Sequence, residues 1–142
     1  MRIAIIYYSG TGNTELMASY IANGARTNGA TVDVIPISQC DPTCLESYDR
    51  FAFGCPASAQ EDLEEIEFLP YYEKLEAQLG KKVVALFGSY SWGNQEWMDK
   101  WNQRVVDKRL VLFEKGLAIQ DEPTQEKQTC TEFGKRFAAY NP

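Results

Sequence analysis

The chain has 142 residues, 44% of them hydrophobic, with 20 acidic against 14 basic side chains, no histidine and a formal net charge of −6 at pH 7. That length suits one domain, residues 1–142, with a real core, since a domain of this size buries roughly 68–70% of the surface its unfolded chain exposes. The acidic excess argues against a nucleic-acid partner, and the missing histidine removes both the commonest proton-transfer side chain near neutral pH and any Cys/His metal site.

Residues 3–8, Ile-Ala-Ile-Ile-Tyr-Tyr, form an apolar run that predicts a buried strand. It is too short for a signal segment, and no apolar stretch is long enough to span a bilayer, so a cytoplasmic protein with no membrane partner is expected. Directly after it stand Ser9, Gly10, Thr11, Gly12, Asn13 and Thr14. A strand that runs into small, hydroxyl-bearing residues and glycines, then into a helix, presents backbone N–H groups and a helix N-terminus to one anion. The segment holds no Lys or Arg and does not fit the Gly-x-x-x-x-Gly-Lys-Ser/Thr loop, so it is suited to hold a phosphate and not to transfer one. A tight connection without a ligand would use the same residue types.

Leu16, Met17, Tyr20, Ile21 and Gly24 recur at helical spacing, and residues 32–35 predict a second strand. Cys40 and Cys44 form a Cys-x-x-x-Cys with no further ligand nearby; with Cys55 and Cys130 they read as ordinary thiols of a reducing compartment. A short helical turn is expected between residues 43 and 48. Residues 51–55 predict the third strand, which leads into Pro56, Ala57, Ser58, Ala59, Gln60 and Glu61. Glu61, Asp62, Glu64, Glu65 and Glu67 then crowd one stretch, which reads as a solvated face.

Phe68, Tyr71, Tyr72, Leu75 and Leu79 predict a second helix, and residues 83–87 a fourth strand. The strand ends in Gly88, Ser89, Tyr90, Ser91, Trp92 and Gly93, a loop in which an aromatic face can stack on a planar group. Trp97, Met98, Trp101 and Val105 predict a third helix; Trp97 and Trp101, four apart, read as core, whereas Trp92 in its loop is open to a ligand. Residues 110–119 predict the fifth strand, and Pro123 opens a last helix carrying Phe133, Phe137 and Tyr140.

Strands buried on both faces and joined by crossover helices make a three-layer, doubly wound α/β fold with a five-stranded parallel sheet, whose ligands gather outside the carboxyl ends of the strands. That rule brings together the loops at 9–14, 56–61 and 88–94. A phosphate cradle beside an aromatic platform suits one ligand that carries both a phosphate and a flat ring.

Ser9-Gly10-Thr11-Gly12-Asn13-Thr14, Gly54-Cys55-Pro56-Ala57, Glu61, and Gly88-Ser89-Tyr90-Ser91-Trp92-Gly93 followed by Glu96-Trp97-Met98-Asp99 resemble the flavodoxins. The likeness continues through Gln120-Asp121-Glu122-Pro123 and Cys130-Thr131-Glu132-Phe133-Gly134-Lys135, and the lack of a long insertion in the last strand region resembles short-chain, clostridial-type members. The resemblance implies the strand order 2-1-3-4-5 with FMN at the switch point, an arrangement for which flavodoxin is itself a type example. It also implies a low-potential, one-electron carrier that binds FMN non-covalently, turns over no substrate and serves redox partner proteins; a monomer is expected, and the acidic excess suits partners with basic faces.

By the same likeness Ser9 to Thr14 hold the phosphate, with Ser89 adding a hydroxyl; Pro56 and Ala57 pass the ribityl chain; and Ser58, Ala59 and Gln60 approach the flavin N5. Trp92 stacks on one ring face within a loop completed by Tyr90, Ser91 and Gly93, and Glu61 accepts from the ring N3–H. A phosphate dianion held by neutral donors leaves the site negative, so the electron that makes the fully reduced ring anionic meets repulsion from Glu61 and its acidic neighbours. Two unit charges about 8 Å apart at an effective dielectric of about 20 cost roughly 2 kcal/mol, near 90 mV at about 2.3 kcal/mol per 100 mV.

The chain departs from the clostridial-type pattern at Ser58-Ala59, where that pattern has Met-Gly. Ser58 gives up an apolar contact with the ring, and the Cβ of Ala59 penalises a positive φ by roughly 1–2 kcal/mol, so the half-reduced flavin is expected to be less stabilised. Ser91 stands where the pattern often has glycine. Two further readings use the same residues. One is a flavin-dependent NAD(P)H reductase, against which stand the lack of a second dinucleotide fingerprint and of basic residues in the three loops. The other is a flavin-free phosphate-binding regulatory domain, which would be colourless.

Overall fold

The computed structural model describes residues 1–142 with the exception of the Cys44 side chain, so the pairing of Cys40 with Cys44 lies outside the described residues. In chain order the elements are β1 (Arg2–Tyr7), α1 (Asn13–Thr27), β2 (Thr31–Pro36), β3 (Arg50–Gly54), α2 (Phe68–Glu76), β4 (Val83–Tyr90), α3 (Glu96–Asp107), β5 (Val111–Leu112), β6 (Leu117–Gln120) and α4 (Lys127–Ala139). Short 3-10 helices occupy Ile37–Gln39, Pro42–Ser47 and Pro123–Glu126. The second is the turn expected near residues 43–48; the Asp41 carboxylate opens it by accepting from the Thr43 N–H at 2.9 Å.

All strand pairs are parallel and the order is β2-β1-β3-β4-β5, with β6 also on β4. Period-2 alternation divides each strand between two cores. Ile3, Ile5 and Tyr7 of β1 pack with Met17, Ile21, Phe133 and Phe137 of α1 and α4. Ala4 and Ile6 pack with Phe68, Tyr72, Trp97 and Trp101 of α2 and α3 on the opposite face. Helices therefore cover both faces of the sheet, which is why its strands read as continuous apolar runs. Trp97 and Trp101 are fully enclosed, and each indole N–H has a partner: the Cys55 carbonyl at 3.1 Å and the Tyr72 hydroxyl at 3.1 Å.

The strand expected over residues 110–119 is two strands. β5 pairs with the start of β4 and β6 with its end, and residues 114–116 lie between the two pairings. Phe113 ends β5 with its N–H still on the Val84 carbonyl at 2.8 Å, and its ring meets those of Phe133, Phe137 and Tyr140. The Gly116 N–H is taken by the Asn102 side chain at 2.9 Å instead of by a strand. The second helix is also shorter than its apolar pattern: it ends at Glu76, Leu79 packs beyond it, and Tyr71 is 41% exposed. Among the described residues no helix is long and apolar enough to cross a membrane.

Candidate cofactor site

The loops that follow β1, β3 and β4 meet in a cleft of about 320 Å³. Hydrogen bonds that extend the sheet ladder beyond the strand ends lock them together: Tyr8 N–H to Gly54 O at 2.9 Å, Cys55 N–H to Phe87 O at 3.1 Å, and Ala57 N–H to Ser89 O at 3.0 Å. Their mutual placement is thus set by the sheet and not by the loops themselves.

The first loop lines the cleft with Gly10, Thr11 and Asn13. Gly12 precedes α1 at φ 97°, a left-handed conformation that glycine adopts without penalty, and its carbonyl accepts the first helical bond from Leu16 N–H at 3.0 Å. The Ser9 hydroxyl oxygen accepts from the N–H groups of Gly12 (3.1 Å) and Glu15 (3.3 Å), which folds the loop over the helix start. Thr14 and Ser89, only 1% and 4% exposed, share a hydroxyl–hydroxyl bond of 2.8 Å. Through these bonds Ser9, Gly12 and Thr14 shape the loop whose Gly10, Thr11 and Asn13 line the cleft. Glu15 in the first turn of α1 is held by the Tyr7 hydroxyl at 2.8 Å; burial, then that bond and the adjacent charge, push the Tyr7 phenol up to about 12. Among the described residues lining the cleft none is basic.

The middle loop contributes Pro56, Ala57, Ser58, Ala59 and Glu61 to the lining, while Gln60 is exposed outside it. A turn closes on Ser58, whose carbonyl accepts from Glu61 N–H at 3.0 Å. Ala59 and Gln60, its central residues, keep negative φ; the left-handed residue is Glu61, at φ 53°. The strain anticipated at Ala59 falls two residues later. Glu61 Oε2 is buried and accepts no hydrogen bond from any described residue. Gly93, at φ 91°, backs this carboxylate so closely that a Cβ there would lie 2.3 Å from Glu61 Oε1. Lys100 on α3 donates to the Glu61 carbonyl at 3.4 Å.

The acidic stretch is more than a solvated face. The Glu64 carboxylate caps α2, taking N–H bonds from Glu67 (2.6 Å), Phe68 (2.8 Å) and Ile66 (3.0 Å). Burial works to raise its pKa, but the donated bonds outweigh burial and hold the carboxyl below its ordinary value. The sequence signal was an acid just ahead of a helix start, masked by its acidic neighbours. Cys55, beside the cleft, is a protonated thiol at neutral pH because burial pushes it up to about 12.

The third loop lines the cleft with Ser89, Tyr90, Ser91 and Trp92. Trp92 is 63% exposed, in contrast to its two buried counterparts. The Tyr90 hydroxyl accepts from the Gln95 side chain at 3.2 Å and its ring lies 5.5 Å from that of Trp97. From the far side, β6 props the loop: Gln120 donates to the Ser91 carbonyl at 3.2 Å, and Asp121 N–H to the Tyr90 carbonyl at 2.7 Å. The sequence reading gave no role to Gln95, Lys100 or Gln120. For Gln120 the missing information was the register that pairs it with Tyr90.

A cradle of neutral donors, an exposed indole and a buried carboxylate oxygen with no donor define a site for a phosphate-bearing planar group with an N–H edge, at the switch point of a doubly wound sheet. FMN fits it, because its imide N–H supplies the donor that Glu61 Oε2 lacks. The class is that of a mononucleotide-binding flavoprotein domain.

The family model described as flavodoxin matches residues 5–134. A flavodoxin of Clostridium beijerinckii is 42% identical over 134 residues, covering 94% of this chain and 97% of its own, and one of Megasphaera elsdenii is 38% identical over 136 residues, covering 96% and 98%. The solution structure of two-electron reduced Megasphaera elsdenii flavodoxin matches with a TM-score of 0.87, covering 97% of this chain and 99% of that one. The chain belongs to the flavodoxin family. It is an FMN-binding electron carrier that serves redox partner proteins, and not an enzyme with a substrate of its own.

Proposed function

We propose that the chain is a low-potential, one-electron carrier, monomeric and cytoplasmic, that docks redox enzymes bearing basic faces. The bound flavin supplies the electron-accepting ring. In this reading the amides and hydroxyls of Ser9, Gly10, Thr11, Gly12, Asn13 and Thr14, with Ser89, hold the phosphate, and Pro56 and Ala57 flank the ribityl chain. Trp92 covers one ring face, with Tyr90, Ser91 and Gly93 completing its loop. Ser58, Ala59 and Gln60 lie along the ring edge, and Glu61 accepts from the imide N–H.

The observation that carries the low potential is the pairing of a phosphate cradle without a basic lining residue with the buried Glu61 carboxylate. No described residue that lines the cleft is basic, and at about 8 Å each unit negative charge opposes an added one by roughly 2 kcal/mol at an effective dielectric of about 20. The acidic run at Glu61, Asp62, Glu65 and Glu67, with exposed Trp92 and Ile66 at its margin, supports a positively charged partner. Such complementarity speeds encounter and is screened by salt.

Anaerobic potentiometric titration of the FMN-loaded protein tests this function. The second step, which leaves a negative charge on the ring, is expected below that of free FMN; a second potential at or above the free cofactor's contradicts the proposal. Consumption of NADPH by the protein alone would instead establish the reductase reading.

A further inference from the structure

Ser58 is engaged through each of its polar groups, and the bonds bracket Glu61. Its N–H donates to Asp62 O at 3.1 Å, its carbonyl accepts from Glu61 N–H at 3.0 Å, and its hydroxyl oxygen accepts from Asp62 N–H at 3.2 Å. Between these bonds Glu61 sits at φ 53°, a conformation that residues with a Cβ rarely adopt. Its side chain reaches the cleft with Oε2 buried and unpartnered among the described residues. A strained residue persists only where its surroundings over-determine it. Here they are the two-way bond between residues 58 and 62, the contact with Gly93, and Lys100 on the Glu61 carbonyl. The backbone bonds of Ser58 would survive in any residue. The hydroxyl bond is the part that depends on serine.

We propose that the Ser58 hydroxyl is a positioning residue for the cofactor: by tying Asp62 N–H it holds residues 58–62 in the turn that aims the Glu61 carboxylate into the cleft. The inference rests on the reading of Glu61 as the acceptor for the ring N–H. Asp62 is exposed, so without the hydroxyl its N–H turns to water and the fold stands, while the turn opens more often and Glu61 relaxes away from the left-handed region.

A double-mutant cycle on FMN binding to the apoprotein separates this role from a direct contact of Ser58 with the cofactor. Ser58→Ala should raise the FMN Kd about fivefold, the equivalent of about 1 kcal/mol for one hydrogen bond, and Ser58→Thr, which keeps the oxygen, should restore it. In a Glu61→Ala background the same Ser58→Ala change should have no further effect. Amide hydrogen exchange at Asp62 should quicken in Ser58→Ala while exchange in β4 is unchanged. Equal losses in both backgrounds, a Ser58→Thr that behaves like alanine, or an unaltered Asp62 exchange rate would each overturn the positioning role while leaving Glu61 as acceptor. An unchanged Kd in Glu61→Ala alone would overturn the acceptor reading and the positioning role with it.

Discussion

Substituting Gly93 by alanine separates two quantities that the site couples. The added Cβ would sit 2.3 Å from Glu61 Oε1 and 2.9 Å from Glu61 Cδ, and the backbone there has φ 91°. The carboxylate is the free end of a flexible side chain, so it moves and the backbone does not. The left-handed conformation then costs stability, by roughly 1–2 kcal/mol, which urea unfolding of the apoprotein measures. Displacement of the carboxylate costs binding. A hydrogen bond to a charged group is worth about 1.5–3 kcal/mol, so the FMN Kd should rise roughly ten- to a hundredfold. Titration of the apoprotein with FMN and with riboflavin, read by flavin fluorescence, should show the same factor for both, because Glu61 meets the ring and not the phosphate. An unchanged Kd would show that the Glu61 carboxylate does not hold the ring. A loss confined to FMN would mean that Gly93 serves the phosphate end of the cleft.

Trp92→Ala should weaken FMN while leaving the unfolding midpoint in place, and Trp97→Ala should cost roughly 3–5 kcal/mol of stability as a buried residue; the two midpoints and two Kd values check the division. Thr14→Ala removes the partner of the Ser89 hydroxyl and should weaken FMN more than riboflavin, which has no phosphate; equal losses would detach Thr14 from that end. Ala59→Gly should raise the first reduction potential by some 40–90 mV, the equivalent of the roughly 1–2 kcal/mol by which a Cβ penalises a change from the present negative φ to a positive one on reduction at about 2.3 kcal/mol per 100 mV; an unshifted potential in a potentiometric titration would show that Ala59 makes no such change. Glu64→Ala should lower stability at pH 7 by about 1 kcal/mol. Its folded pKa lies below the unfolded value of about 4.3, so the cap's contribution is complete above that pH and fades as the pH falls through the lower folded value. Urea midpoints of wild type should therefore drop on acidification by more than those of Glu64→Ala.

The layered fold was legible because burial on both sheet faces leaves runs such as residues 3–8 and 83–87 with almost no polar residue, and because Trp97, Met98, Trp101 and Val105 mark one helix face without ambiguity. The break of the last strand was not, since it depends on the Asn102 side chain of α3 taking the Gly116 N–H, a contact that only the folded chain makes. At the site, Gly12 and Trp92 announced themselves by residue type and position. Glu61 could be named from the resemblance, but its left-handed backbone, the glycine behind it and the hydroxyl that ties its loop depend on which groups the folded chain brings into contact. Glu64 was hidden among like residues, because capping is a matter of direction and composition records only charge.

The central claim is that this cleft binds FMN and that the bound ring takes electrons one at a time at low potential. Visible absorption spectra recorded while the FMN-loaded protein is reduced stepwise under anaerobic conditions test it most directly. A flavin spectrum is expected that bleaches in two separable one-electron steps, the second below the potential of the same step in free FMN. A colourless protein that takes up no added FMN, or a bound flavin reduced at the potential of the free cofactor, would contradict it.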